Sequence, residues 1–266
     1  VDDNGELREL AIVGGGNMGA ALLGGLLDSG ALDPSQVAVA EVMPARRDEL
    51  AERFAGVLVA ATIPPCRAAV LAVKPVDTPD AARAAVSAGA TRLLSIAAGV
   101  RLATIEAAAA DGVAVVRAMP NTPALVALGA SAIAAGSAAT AADVDWARGI
   151  LAAVGTVDVV DEATLDAFTG VAGSGPAYVF LLAESLIEAA VDEGIERPMA
   201  ERVVRQLLLG SATLLDRQGD PTRLREQVTS PGGTTAAGVA ALEAGGLRGV
   251  VGAAVRAATE RSRELG

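Results

Sequence analysis

The sequence predicts an α/β fold in two parts, a parallel-sheet domain over residues 1–160 and an all-helical domain over residues 161–266. Three observations predict it. Up to Val160, short apolar runs alternate with helix-length stretches, the pattern of βα units whose parallel sheet is covered on both faces. Beyond Val160 the β signal stops and only helical stretches remain. The first strand also runs straight into a glycine-rich helix entry, "GGGNMG" at 14–19. The division falls near Val160–Glu162, at a composition shift without a flexible linker.

In chain order, "LAIV" (10–13), "VAVAE" (37–41), "VLV" (57–59), "AVLAV" (69–73), "RLLSI" (92–96), "VAVVRA" (113–118), "ASAIAA" (130–135) and "TVDVV" (156–160) read as strands. Met18–Ser29, Ala45–Phe54 and Ala141–Ala153 read as helices between them. The second part reads as helices Thr164–Gly194, Pro198–Gln218, Thr234–Gly245 and Gly246–Glu264. Ala118–Ala142 carries no charge, but its Pro, Ser, Thr and abundant Ala make it too weakly hydrophobic for a membrane span. It reads as buried loop and strand. "PAYVFLLAESLIEAAV" (176–191) is apolar over too much of its circumference for one exposed helix, so an obligate dimer is expected.

Composition narrows the function. Apolar content of 52% with 20% charge fits a soluble globular protein. A net charge of −11 argues against nucleic acid, which needs a basic footprint, and one Trp, one Tyr and three Phe leave little to stack on bases. The acidic, polar start "VDDNGELREL" does not read as a signal peptide. The single cysteine, Cys66, excludes an internal disulfide and points to a reducing, cytoplasmic compartment. There is no histidine, which excludes histidine proton transfer, Ser–His triads and His-ligated metals. No metal is expected.

Gly14, Gly16 and Gly19 form G-x-G-x-x-G after a buried strand and at the opening of a helix, the context that identifies a Rossmann-type dinucleotide site. Gly14 permits the tight turn, Gly16 lets a pyrophosphate approach the backbone, and Gly19 lets helix and strand pack closely. Asn17 and Met18 stand at the helix N-terminus, whose N–H groups favour anions. Glu41, at the end of the next strand, suits a ribose 2′-hydroxyl and so NADH. Arg46 and Arg47 suit a 2′-phosphate and so NADPH, or else face solvent. NADPH (the NADP couple) is the expected cofactor, with NADH (NAD) as the alternative. "LAVKP" (71–75) brings Lys74 and Pro75 to the ligand-binding edge of the sheet. "SIAAG" (95–99) and "RAMPNTP" (117–123) end further strands with small residues, Pro or Asn, giving one crevice.

A second glycine-rich entry, "VTSPGGTTAAG" (228–238), turns at Pro231, passes Gly232 and Gly233, and enters a helix read as capped by threonine. Consecutive N–H groups in such a turn make an anion site, most simply for a substrate carboxylate; an ordinary capped turn is the alternative.

"GGGNMG", "AVKP", "VRAMPNTP", "GVAGSGPAYVFLLAESLIEAAVDEG" and "VTSPGGTTAAGVAALE", in this order across nearly the whole chain, resemble Δ1-pyrroline-5-carboxylate reductase. The last two motifs are the specific ones. The resemblance implies an N-terminal Rossmann-type parallel-sheet domain followed by an all-helical dimerisation domain, intertwined in a homodimer that often joins a ring of dimers. It implies reduction of the cyclic imine Δ1-pyrroline-5-carboxylate to L-proline with NAD(P)H, the last step of proline biosynthesis. Carried over, the nucleotide meets Gly14–Gly19, Ala72, Val73, Lys74, Pro75, Ala97, Met119 and Asn121. The substrate carboxylate meets Ser230 and the amides around Gly232, Gly233, Thr234 and Thr235, with the Thr235 hydroxyl near the ring nitrogen. Ser174 helps wall the substrate side and serves as N-cap of the long helix. One departure is "AATIPPCRA" (60–68), shorter than the family pattern beside the adenosine site.

Imine reduction suits a chain without histidine, because a cyclic imine is basic enough to be partly protonated near neutrality; orientation and one hydroxyl then suffice. A β-hydroxyacid dehydrogenase would need a catalytic lysine, and none follows Lys74. A non-catalytic nucleotide sensor gives no reason for the second anion turn.

Overall fold

A computed structural model of the chain describes residues 6–266; the first five residues, part of the polar start noted above, lie outside the described residues. It divides into two compact units. The first runs up to Ser174 and takes in Arg256–Gly266; the second is Gly175–Val255.

The first unit is built on eight strands: β1 (Arg8–Val13), β2 (Val37–Ala40), β3 (Leu58–Ala60), β4 (Cys66–Leu71), β5 (Arg92–Ser95), β6 (Ala114–Met119), β7 (Gly129–Ala135) and β8 (Gly155–Val159). They form one sheet in the order β3-β2-β1-β4-β5-β6-β7-β8. The chain walks outward from β1 to β3, then returns across β1 to start β4. The order therefore reverses between β1 and β4, the place where open α/β sheets bind ligands. Helices α1 (Asn17–Asp28), α2 (Pro44–Arg53), α3 (Thr78–Ser87), α4 (Leu102–Ala108) and α5 (Ala141–Ala152) cover the sheet. Ile12, Leu22, Leu23, Leu26 and Leu50 are among the side chains packed on one face; Ala11, Leu71, Leu93 and Ile105 are among those on the other.

The sheet is not parallel throughout. β7 pairs antiparallel with β6, for example Ala118 opposite Ile133, and then parallel with β8. Residues 120–128 hold only a 3₁₀ turn at Thr122–Val126, which is too short for a parallel crossover. The same link corrects the reading of Ala118–Ala142 as wholly buried: β7 is buried through most of its length, but Leu125, Val126 and Leu128 are exposed.

The short "AATIPPCRA" segment has a structural counterpart. Only residues 61–65 join β3 to β4, with no helix. Ile63 packs against the core that holds Ala69 and Leu71, and Pro64 is buried. The link thus takes the place of a crossover helix on the sheet face. Its two prolines favour the extended backbone such a span needs, because Pro fixes φ and disfavours a helical residue before it.

The helical region starts with α6 (Thr164–Phe168), a π turn (Thr169–Gly173) and α7 (Gly175–Asp192), which run together as one helix, Thr164–Asp192. Ser174 sits inside it with helical backbone (φ −87°, ψ −22°), so it is not the N-cap expected above. α8 (Arg197–Gln218), α9 (Pro221–Gln227), α10 (Thr234–Ala244) and α11 (Leu247–Leu265) follow. By length and composition Thr164–Asp192 would also pass as a membrane span. Within the second unit α7 packs against α8, yet Val179, Phe180, Leu181 and Leu182 on α7 and Val203, Leu207 and Leu209 on α8 are exposed. Only Ala200 and Val204 are buried apolar residues among the described residues of that unit. A helical layer with so much apolar surface and so little core must bury it against something else.

Candidate functional site

The first glycine turn is shaped by its contacts. Gly14 has φ +101°, and a Cβ there would stand 2.5 Å from the Ala72 carbonyl oxygen. At Gly19 a Cβ would collide with the Gly14 carbonyl oxygen, so α1 starts hard against the turn. At Gly16 a Cβ would meet nothing within 4 Å. The turn is therefore closed towards the sheet and open at Gly16, which is the shape a pyrophosphate needs, with the N-terminus of α1 behind it. Asn17 is exposed and Met18 packs partly into the core.

Ala72, Val73, Lys74 and Pro75 leave the end of β4, across the reversal point from Gly14. Ala72 N–H donates to the Val13 carbonyl at 2.8 Å, which holds this segment in line with β1. Lys74 is exposed. Ala97 is buried just beyond β5, and Met119 closes β6. Gly14–Gly19, Ala72–Pro75, Ala97 and Met119 thus lie at the carboxyl ends of consecutive strands of one sheet edge. Glu41 follows β2 on the same edge.

Glu41 does not stand free. Its Oε2 accepts the Gly15 N–H at 2.9 Å and its Oε1 the Met43 N–H at 2.8 Å. Arg46 Nε donates to the Gly15 carbonyl at 2.7 Å, and its Nη1 pairs with Glu49 at 2.6 Å. Arg47 Nη1 donates to the carbonyls of Glu41 and Val42, both at 2.9 Å.

Asn121 has both ends of its amide committed. Its Oδ1 accepts the Ala130 N–H at 2.9 Å, and its Nδ2 donates to the Ala172 carbonyl at 3.1 Å. That carbonyl would bond residue 176 in an α-helix, but Pro176 has no N–H to give. Asn121 supplies the missing donor. Met119 reaches the same turn, since a Cβ on Gly173 would stand 2.8 Å from its Cε.

Behind Ala97 the loop is held by charges the sequence reading did not single out. Glu162 Oε1 accepts from Arg117 Nη1 at 2.8 Å and from the Leu102 N–H at 2.7 Å. Buried Asp166 pairs with Arg101 at 3.1 Å and accepts from Ser262 Oγ at 2.8 Å. These partners lie far apart in sequence, so no local pattern marks them. Cys66 is buried at the start of β4, and burial pushes its thiol up to about 11, which leaves it no nucleophile.

The second glycine turn is of another kind. Gly232 has φ +72° with open space around it, and Gly233 packs on Ser230 and donates its N–H to the Ser230 carbonyl at 3.0 Å. Gly233 is the N-cap of α10, and no side chain caps it. The expected threonine cap is therefore absent: Thr234 and Thr235 are the first helical residues, and the cap position before them is crowded, since a Cβ there would stand 2.7 Å from Ser230 Oγ. Among the described residues, the hydroxyls of Ser230, Thr234 and Thr235 have no hydrogen-bond partner. Together with the first N–H groups of α10 they form a donor-rich helix start. Ser174 lies half-buried at the end of the π turn.

Residues 162–265 match a family model described as pyrroline-5-carboxylate reductase dimerisation, and residues 9–99 one described as NADP oxidoreductase, coenzyme F420-dependent. A pyrroline-5-carboxylate reductase from Synechocystis is 42% identical, with 97% of this chain and 98% of the relative covered. The structure of a pyrroline-5-carboxylate reductase from Coxiella burnetii superposes with a TM-score of 0.88 at 33% identity, covering 97% of this chain and 98% of that one. A Plasmodium falciparum pyrroline carboxylate reductase with NADP bound gives 0.83 at 27% identity, over 97% of this chain and 98% of that one. With a dinucleotide-type sheet edge, a helical region that matches the dimerisation model over residues 162–265 and a relative 42% identical over 97% of this chain, the chain belongs to the pyrroline-5-carboxylate reductase family.

Proposed function

We propose that the protein reduces Δ1-pyrroline-5-carboxylate to L-proline, using NADPH in preference to NADH. The observation that carries this reading is the second glycine turn, where the hydroxyls of Ser230, Thr234 and Thr235, without hydrogen-bond partners among the described residues, and the first N–H groups of α10 suit a carboxylated substrate. The first turn fits the cofactor, because its only open glycine is Gly16, where a pyrophosphate needs room. Gly14, Gly16, Asn17, Met18 and Gly19 hold that pyrophosphate. Ala72–Pro75, Ala97 and Met119 line the nicotinamide side, and the backbone around Asn121 completes it. The bound cofactor supplies the hydride, which the imine carbon C5 receives. Ser230 and the amides of Gly232, Thr234 and Thr235 hold the substrate carboxylate, with the Gly233 N–H keeping the turn closed on the Ser230 carbonyl; Ser174 walls the substrate, and the Thr235 hydroxyl hydrogen-bonds the ring nitrogen. No residue need act as a strong acid, since the imine carries its own proton near neutrality.

Nucleotide binding belongs to residues 1–160, and dimerisation with substrate binding to residues 161–266; the dimerisation match over 162–265 supports that division. The exposed apolar faces of α7 and α8 are buried in a homodimer, which gives the long apolar helix a use other than a membrane; dimers can assemble further. The net charge of −11 speaks against nucleic acid as a partner, and the lone Cys66 supports a cytoplasmic setting.

The test is oxidation of NADPH and of NADH with and without pyrroline-5-carboxylate. Imine-dependent turnover, faster with NADPH, is expected. Cofactor binding without turnover would make the protein a sensor instead. In the same preparation, light scattering is expected to give a dimer or larger; an active monomer would refute the dimer.

A further inference from the structure

We propose that Glu41 and Arg46 are positioning residues that grip the two peptide groups flanking the Gly15 Cα, and that Arg47 alone distinguishes NADPH from NADH. The second half rests on the NADP(H) reading above; the first does not.

Gly15 is the central residue of the nucleotide turn, and it is buried. A Cβ there would run into Leu50, so the peptide is wedged between α2 and the sheet. Its N–H is held by Glu41 Oε2 and its C=O by Arg46 Nε. The carboxylate thus holds the peptide plane that joins Gly14 to Gly15 and the guanidinium the plane that joins Gly15 to Gly16, which together fix φ and ψ at Gly15. Glu41 Oε1 is engaged as well, by the Met43 N–H, so each carboxylate oxygen already serves the backbone. Swinging Glu41 out to a ribose would strip a buried N–H of its acceptor, a loss that costs more than an exposed sugar hydroxyl returns.

The two arginines differ in the same way. Arg46 is held by the Gly15 carbonyl and paired with Glu49, so its charge is already met by an acid. Arg47 is anchored through Nη1 to the carbonyls of Glu41 and Val42 and, among the described residues, pairs with no carboxylate. Carbonyl oxygens orient a guanidinium without neutralising it. Among the described residues Arg47 is therefore left with its charge unpaired, and its Nε and Nη2 without a hydrogen bond, beside the end of β2, which is what a 2′-phosphate requires.

The experiment measures Kd of the purified protein for NADPH and for NADH by calorimetric titration without imine, and then kcat and KM with pyrroline-5-carboxylate saturating, in wild type, E41Q, R46A, R46K and R47A; for each variant Kd is expected to move as KM does. E41Q and R46A are expected to raise KM for both cofactors by the same factor, leaving the NADPH:NADH preference unchanged. R46K is expected to recover part of the R46A loss, since its ammonium can still donate to the Gly15 carbonyl; it also serves as the folded variant if R46A does not fold. R47A is expected to lower the NADPH:NADH preference by roughly 10- to 150-fold, the range for one charge-assisted hydrogen bond. An E41Q variant that shifts preference strongly towards NADPH would make Glu41 a ribose ligand and overturn the grip. An R46A variant that loses NADPH alone, or an R47A variant that leaves the preference unchanged, would overturn the division between the arginines. A wild type that turns over only NADH would end the cofactor reading and the role of Arg47. The grip would still stand or fall on whether E41Q and R46A raise the NADH KM and R46K restores it.

Discussion

At Gly14 an added Cβ would stand 2.5 Å from a backbone carbonyl, whereas at Gly232 it would meet nothing within 4 Å. Both glycines have positive φ, and both lead a chain turn into a helix N-terminus. Their surroundings are opposites. The first turn is fixed by its own unit: Ala72 presses on Gly14, the Gly14 carbonyl on Gly19, and Glu41 and Arg46 hold Gly15. The second is exposed at Ser230, Pro231 and Gly232, and its three hydroxyls have no partners among the described residues. A preorganised site and an unfinished one teach different things about binding. The first needs only its ligand. The second invites completion by substrate, by a second copy of the chain, or by both.

The sharpest way to break this comparison is Gly14→Ala. Positive φ and the clash with Ala72 both act there, and neither neighbour is a flexible side-chain tip. We expect a loss of about 3–5 kcal/mol of stability, and no measurable NADPH binding in whatever protein remains folded. Thermal unfolding and cofactor titration check it. A variant that binds NADPH normally would show that the first turn is as loosely held as the second.

Thr235→Val addresses the other side. Valine keeps the branched shape and the backbone N–H, and because Gly233 rather than threonine is the N-cap, helix capping is untouched. A hydrogen bond to a charged partner is worth ~1.5–3 kcal/mol, a loss of roughly 10- to 150-fold in kcat/KM if it forms in the transition state. Affinity for NADPH is expected to hold, since the nucleotide uses the other turn. Wild-type turnover would remove Thr235 from the reaction; parallel loss of cofactor binding would merge the two sites into one.

How much of this was legible in the sequence depends on the range of the interaction. The G-x-G-x-x-G logic was readable because each glycine answers to a neighbour a few residues away or to the next strand. The reversal at β7 was not, because "ASAIAA" has the same pattern in either direction and only the short link to β6 hints at it. The resemblance places Asn121 among the nucleotide contacts; the backbone there is left for a ligand, while its side-chain amide is spent on Ala130 and Ala172. That use follows from Pro176, a donor missing more than fifty residues away. The Asp166 cluster with Arg101 and Ser262 is equally non-local. The threonine cap fails for a local reason: the helix starts at Thr234, and a Cβ at the cap position before it would stand 2.7 Å from Ser230 Oγ, so glycine fits there and threonine does not.

The mildest probe is Gly232→Ala, and it tests the open turn directly. With φ +72° and nothing within 4 Å, the only native-state cost is the left-handed conformation itself, about 1–2 kcal/mol. Alanine also restricts the unfolded chain, which returns about 0.4–1 kcal/mol. The net loss should be about 0–1.6 kcal/mol, a fall of at most about 3–6 °C in Tm for a chain of this size. The N–H groups of residues 233–235 keep their directions, so KM for the imine should change much less than kcat/KM does in Thr235→Val. Calorimetry and imine kinetics on the intact protein decide it. If Gly232→Ala instead proves as damaging as Gly14→Ala, then something fills the space around Gly232 in the assembled enzyme. The second turn would then be as preorganised as the first, with its walls supplied by another copy of the chain.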